Sequence, residues 1–222
     1  MQIKDSVLRS FGRSISLLIL FAGSFAAADS TVEKLHVRSQ FEPIVKLINK
    51  QLSVHQSKYK QDPAAYHDFI DQYVRVHWAA GSTTSALIGR ANFKALDANY
   101  RQSLVEAVDT TLVRYAFEGF DYYRGQQFKL VDIAISDSGK MGWLQVLMES
   151  AIIPDINLDI LIKRSQEGVW KAVDVRFKGI TYVAVKKHQF RKILKKQGVQ
   201  ALIETLIDKN NDFFNGLSDT KG

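Results

Sequence analysis

The sequence predicts an α+β fold in which several N-terminal and C-terminal amphipathic helices pack on a mostly antiparallel four-stranded sheet. Apolar residues recur at helical spacing in the first half, four short alternating segments follow, and helical spacing returns near the end. The connections between the four alternating segments are short and rich in Gly, Ser, Asp and Pro, as in hairpins. This order favours an antiparallel sheet whose apolar face is covered by helices.

Residues 1–28 are predicted to be a cleaved signal peptide, and residues 29–222 a single domain. Lys4, Arg9 and Arg13 precede an apolar run that ends in three alanines at Ala28. The run is too short to span a hydrocarbon core of roughly 30 Å. An uncleaved anchor helix is the alternative, but the chain turns polar at Asp29. We therefore expect an exported protein.

Export limits which anionic partners the net positive charge of the protein can bind. Removal of residues 1–28 lowers the formal net charge from +7 to +5. In an exported protein this surplus is expected to meet anionic lipid headgroups or acidic protein surfaces, and no nucleic acid. The chain contains no Cys, so the fold must rest on its apolar core without disulfides.

The first helices are predicted from capping and breaking residues. Residues 30–33, Ser-Thr-Val-Glu, resemble a capping box that opens a short helix. A second apolar stripe starts at Phe41, with Pro43 marking the join, and a third helix is expected from Pro63. Residues 79–85 contain Gly and several Ser and Thr residues, and they are predicted to be a loop.

The longest apolar stripe predicts a central helix. Asp97 is its candidate N-cap, and the helix is expected to continue to Tyr123. The apolar residues that repeat along it include Leu104, Val108, Leu112 and Tyr115.

Four strands are predicted after this helix, at residues 128–135, 141–149, 157–164 and 169–178. Alternation places one apolar wall on the last two strands, made of Leu158, Ile160, Ile162, Val173, Val175 and Phe177. Trp170 and Asp174 are expected together on the opposite face. Such a wall either closes a solid core or leaves a cavity beneath the helices.

Helical spacing is predicted from Lys186 to Gly198, and a second amphipathic helix follows. The first of these helices carries a basic run: Lys186, Lys187, His188, Arg191, Lys192, Lys195 and Lys196. Two interpretations stay open. The run either attracts phosphate or an acidic partner at a docking face, or it is an ordinary solvent-exposed helix face.

No motif for catalysis or metal binding is present. The five His residues are scattered, and the chain lacks a nucleophile elbow, a P-loop and a dinucleotide fingerprint. Asp174 is the one carboxylate expected in an apolar setting, where a general base could be built. The alternative is that Asp174 accepts hydrogen bonds that hold the corner between strand and helix.

The C-terminal quarter resembles the MlaC family of periplasmic phospholipid carriers. The matching positions are Trp170, Val173, Asp174, Val175, Gly179, Ile180, Gln189, Phe190, Gly198, Leu202 and Ile203. The Leu87-Ile88-Gly89 turn and the helix after Asp97 are also similar to family features. The chain differs from the family pattern at Thr181, Tyr182, Lys186 and Lys187.

The resemblance implies a periplasmic carrier, without catalytic residues or a cofactor, that holds phospholipid as its cargo in an apolar cavity. Its partners would be an outer-membrane lipoprotein complex and an inner-membrane ABC transporter, and its role would be to maintain outer-membrane lipid asymmetry. A monomer is expected. The expected tail contacts are Leu104, Val108, Leu112, Tyr115, Leu158, Ile160, Ile162, Val173, Val175 and Phe177, and the expected headgroup or docking contacts are Lys186, Lys187 and Arg191.

Three alternatives remain open from the sequence. The cargo could be another amphiphile, such as a hopanoid, because the chain departs from the family pattern near Tyr182. A pocket of this kind could also perform isomerase or dehydratase chemistry with Asp174 as base. A basic adaptor that carries nothing would instead have a filled core.

Overall fold

The computed structural model describes residues 22–151 and 154–219. Within these ranges the chain forms six α-helices, one 3-10 turn and a five-stranded antiparallel sheet in the order β1-β2-β3-β4-β5. The α+β class is therefore confirmed, with one short strand more than predicted. Most of the predicted signal peptide lies outside the described residues, and its boundary stays a prediction.

The helices are α1 (Ala22–Gln61), α2 (Pro63–Tyr73), α3 (Ala80–Ile88), α4 (Arg90–Ala95), α5 (Ala98–Phe120) and α6 (Tyr182–Asp219), with the 3-10 turn at Arg75–His77. The strands are β1 (Gln127–Ile135), β2 (Met141–Glu149), β3 (Ile156–Arg164), β4 (Trp170–Phe177) and β5 (Ile180–Thr181). The first four strands match the predicted ones to within one residue at each end.

The N-terminal helix is continuous, so the predicted break at Pro43 is wrong. Pro43 lies inside α1, as do residues 30–33 of the predicted capping box. A proline removes one hydrogen bond from the helix interior. Val37, Phe41 and Ile44 offset this loss because they pack on one apolar cluster of the sheet, on both sides of the proline.

The predicted loop at residues 79–85 is also wrong, because most of it belongs to α3. Thr83 and Thr84 are both fully buried. The Thr83 hydroxyl donates to the Val173 carbonyl at 2.7 Å, and the Thr84 hydroxyl donates to the Ala80 carbonyl at 2.8 Å. Internal carbonyls thus satisfy the polar atoms that made this segment resemble a loop.

The central and C-terminal helices agree with the sequence. Asp97 caps α5 by accepting a hydrogen bond from the Tyr100 amide at 2.9 Å. The last helix starts at Tyr182, four residues before the predicted Lys186, and it is broken at Gly198, whose φ is 87°. This left-handed backbone conformation favours glycine and separates two helical segments, as predicted.

A β-bulge in β4 changes which residues share a face. Leu161 pairs with Asp174, whereas the next residue, Ile162, pairs with Ala172, so that Val173 is left between them. Residues on the two sides of the bulge therefore follow different alternations. Trp170 and Ala172 lie on the face of Ile162, and the prediction that Trp170 and Asp174 share a face is wrong.

Apolar side chains of the described residues form three clusters. One joins α1, α2, α5 and the end of α6 through aromatic rings such as Tyr66 and Phe117, and a second joins α3, α5 and α6. The third lies between α1 and the sheet and contains Val37, Phe41 and the fully buried Trp170. The first two clusters join helices to one another, and the third holds α1 against one face of the sheet.

Candidate functional site

The face of the sheet that meets α1 carries apolar side chains from all four long strands. Near the β1 edge and around Trp170 it is closed, because Val37 and Phe41 bury Ile133, Leu144 and other side chains. Ile162, one of the predicted wall residues, is fully buried in this closed part. It therefore already contacts protein on this side.

The same face is open toward the other end of β3 and β4. Leu158 pairs with Phe177, and Ile160 pairs with Val175. Leu158, Ile160 and Val175 are only partly buried, and Phe177 is 45% exposed. We call these four residues the open wall. They belong to the predicted apolar wall, and the described residues do not cover their apolar surface completely.

The predicted residues of the central helix divide into two groups. Leu104 and Val108 are fully buried among side chains of α3 and α6, and Leu112 packs against the same cluster. Tyr115 lies apart from them, with its ring centroid 5.5 Å from that of Tyr182. Lipid contact by these four residues stays a prediction, and Tyr115 is the one placed beside the start of α6.

Lys186 lies over the Tyr115 ring, beside the start of α6. Its Nζ lies 5.6 Å from the centroid of the Tyr115 ring, a distance typical of a cation–π contact. Helix α6 begins five residues after Phe177, so its first turn lies at the end of the sheet where the open wall is found. The structure thus brings a cation, an aromatic ring and the open wall to one end of the sheet.

Asp174 holds the corner between β4 and α6, which is one of the two interpretations made from the sequence. Its Oδ1 accepts hydrogen bonds from the amides of Val175 at 2.9 Å and Val183 at 3.2 Å. Burial raises the pKa of Asp174 above its ordinary value, while hydrogen bonds from the backbone and from Thr181 act in the opposite direction. The carboxylate is thereby engaged with the first turn of α6.

Arg191 has partners within the protein. Its Nε donates to the Leu87 carbonyl at 3.1 Å and its Nη2 to the Ala86 carbonyl at 3.3 Å. These carbonyls belong to the last turn of α3, where a cation also complements the helix dipole. The guanidinium passes Gly89, whose φ of 92° ends the helix. Arg191 therefore fastens α6 to α3.

A second feature was missed by sequence analysis. A cleft of about 730 Å³ lies between the α3–α4 region and the ends of β2, β3 and β4. None of the predicted site residues lines it. We call it the basic cleft, and the cations that line it are Arg90, Lys94, Arg101, Lys140, Lys163, Arg164 and Lys171.

The described residues show neither a metal-binding cluster nor a membrane-spanning helix. Neither of the described segments contains a cluster of three or more His, Cys, Asp or Glu side chains suited to holding a metal ion. Across those segments, each helix falls short of the length or the apolar character that a membrane span requires.

Comparisons with known proteins give a family and a fold. The family model described as MlaC protein matches residues 43–208, about three quarters of the chain. A similar solved structure is that of the phospholipid-binding protein from Ralstonia solanacearum in complex with a phospholipid. The two chains share 16% identity and a TM-score of 0.65, over 81% of this chain and 97% of that chain. No curated protein sequence matches.

Proposed function

The chain belongs to the MlaC family, and from that premise we propose that it is a phospholipid carrier. The proposed role is to move glycerophospholipid across the periplasm, between an outer-membrane lipoprotein complex and an inner-membrane ABC transporter. This transfer would maintain the lipid asymmetry of the outer membrane. Export with removal of residues 1–28 and action as a monomer are parts of the same proposal.

The observation that carries the proposal is the open wall. Its four residues form two directly opposed pairs on adjacent strands, and their apolar side chains lack a complete protein cover. A contiguous apolar surface of this kind marks a binding site more often than a solvated face. The fold shared with a structure that contains a phospholipid supports the same assignment.

The energetics of lipid transfer explain why such a wall suffices. Two acyl chains contain roughly thirty methylene groups, and each costs about 0.8 kcal/mol to expose to water, so free transit would cost about 24 kcal/mol. A carrier removes most of this cost by covering the tails, and it needs no covalent step. A binding or transport function thus accords with the lack of a catalytic motif in the sequence.

We assign the tails to the open wall and the headgroup to the first two turns of α6. Lys186 and Lys187 supply positive charge there, and the ring of Tyr115 orients Lys186. A phosphate near these lysines would gain charge-assisted hydrogen bonds while staying in contact with water. Arg191 acts through the α3–α6 contact that it makes, so its part is to position the helix that carries both lysines.

The test is a variant that fills the site without removing core contacts. Val175→Trp places a large side chain in the open wall, whereas the control Val131→Trp adds the same side chain at a position on β1 that is 55% exposed. Lipid that co-purifies is measured as phosphorus per protein, together with the thermal transition. We expect Val175→Trp to lose most of its lipid and Val131→Trp to keep it.

The opposite result would refute this assignment. If Val175→Trp folds with an intact thermal transition and still carries as much lipid as the unaltered protein, then the tails do not lie against the open wall. Equal loss of lipid in Val175→Trp and Val131→Trp would also refute the assignment, because Val131 lies outside the open wall.

A further inference from the structure

The basic cleft is lined mostly by cationic side chains. Among the described residues, seven cationic side chains line it and no acidic side chain does. Arg164 lies 3.5 Å from Glu33, and Arg101 donates to backbone carbonyls such as that of Leu96 at 2.7 Å. The other five cations have no side-chain hydrogen bond or ion pair within the described segments.

The strand register places two of these cations against each other. Lys163 on β3 is directly opposite Lys171 on β4. Lys140 precedes Met141, which is the cross-strand neighbour of Lys163 on the other side. Like charges in direct opposition destabilise a sheet. The ends of β3 and β4 thus carry an electrostatic cost that a bound anion would offset.

The cleft is separate from the open wall. On β4, Lys171 lies four residues from Val175 and six from Phe177, which corresponds to about 13 and about 20 Å along a strand. Because Lys163 alternates with Ile162, the two lysines also project from the opposite face of the sheet. The headgroup of a lipid that lies against the open wall is therefore remote from these lysines.

The lining of the cleft favours a small ligand over a protein partner. Its volume of about 730 Å³ lies in the range of small-molecule sites. Protein interfaces are depleted in Lys and depend on buried aromatic anchors, whereas Phe93 is the one aromatic residue that lines this cleft in the part of the chain that the structure describes. Lysine is a compact charge suited to phosphate, and Ser82 and Ser85 add hydroxyl donors from α3.

We infer that the basic cleft binds a small ligand that carries two or more phosphate groups. One phosphate lies between the Lys163 and Lys171 ammonium groups, and another is reached by Arg90 or Lys94 from the opposite side of the cleft. The ligand is either a soluble polyphosphorylated molecule or the headgroup of a lipid with more than one phosphate. This site does not depend on lipid binding at the open wall.

The test uses tripolyphosphate as the probe and isothermal titration calorimetry as the measurement, at low and at physiological salt. We expect one molecule bound per chain, and weaker binding at higher salt. The double variant Lys163→Gln/Lys171→Gln is expected to bind about tenfold more weakly for each lysine removed. The control Lys192→Gln/Lys195→Gln removes two exposed lysines of α6 and should bind as the unaltered protein does.

Folding and lipid loading are measured on the same variants. Because Lys163→Gln/Lys171→Gln relieves a repulsion, its thermal transition should be as high as that of the unaltered protein or higher. Its content of co-purifying lipid should be unchanged, since the open wall is intact. These measurements therefore distinguish a wrong inference about the basic cleft from a wrong proposal for the carrier function.

A second arm identifies the source of the phosphates. Flotation with phosphatidylcholine vesicles, with and without cardiolipin, shows whether a lipid headgroup enters the cleft. Binding that requires both cardiolipin and the two cleft lysines identifies a headgroup, whereas tripolyphosphate binding without vesicle binding identifies a soluble ligand. The inference is overturned if tripolyphosphate does not bind, if both double variants weaken equally, or if only polyglutamate binds, which would indicate an acidic protein.

Discussion

Trp170 donates its indole N–H to the Glu33 carboxylate at 2.8 Å, although the two residues are 137 positions apart in sequence. The Trp170 side chain is fully buried, and its carbonyl accepts a hydrogen bond from Gln40 at 2.7 Å. Both partners are on α1. Helix α1 is thus fixed over the closed part of the sheet, and this placement leaves the open wall only partly covered.

Glu33→Ala should therefore destabilise the protein. Removing the acceptor leaves the buried indole N–H unsatisfied, which costs about 1–3 kcal/mol in the free energy of unfolding. Glu33→Gln keeps an oxygen at the same place and should cost less. Urea unfolding of the two variants is the measurement, and equal stability of Glu33→Ala and the unaltered protein would refute the assigned role.

Asp174→Ala should destabilise the start of α6. The amides of Val175 and Val183 lose their acceptor, and an unsatisfied cap costs about 1–2 kcal/mol. Asp174→Asn retains an oxygen acceptor and is expected to fold with a smaller loss. Thermal unfolding distinguishes the variants. If Asp174→Ala and Asp174→Asn were equally stable, the corner would not depend on this acceptor.

Asp174 should also give stability a specific pH dependence. Because its pKa is raised in the folded protein, the folded state binds the proton more readily than the unfolded chain does. Its contribution is fully present below the ordinary pKa of 3.8 and is lost as the pH rises through the raised value. Relative to Asp174→Asn, the unaltered protein should gain stability as the pH falls through this interval. A difference in stability between the two proteins that does not change with pH would contradict the raised pKa of Asp174.

Arg191 is expected to affect stability, although the sequence placed it with the docking residues. Arg191→Met keeps the apolar stem and removes the donors to Leu87 and Ala86, at a cost of about 1 kcal/mol. Lys187→Met is the matched control, with no expected loss. The free energy of unfolding measures the difference. An Arg191→Met variant that is as stable as the unaltered protein would show that Arg191 does not fasten α6 to α3.

Much of the fold could be predicted because local signals and tertiary structure agree. The four main strands follow alternation, Asp97 caps the central helix, and Gly198 interrupts the last helix as its lack of a side chain permits. The open wall also follows from alternation, because Leu158, Ile160, Val175 and Phe177 lie in the regular part of β3 and β4.

The failures arise where distant contacts override a local preference. Pro43 stays helical because the sheet holds the residues around it, and Thr83 is buried because the Val173 carbonyl accepts its hydroxyl. The bulge at Val173 leaves no mark in the alternation of β4, yet it moves Trp170 to the other face. The basic cleft depends on the same register, since only the pairing of β3 with β4 brings Lys163 beside Lys171.

The most direct test of the account is to identify what the protein carries. The protein is purified from its native compartment, extracted with organic solvent and analysed by mass spectrometry with quantification of lipid per chain. The account predicts a glycerophospholipid in a fixed ratio to protein, which is lost in Val175→Trp. A protein that is isolated folded and free of lipid or any other amphiphile would contradict it.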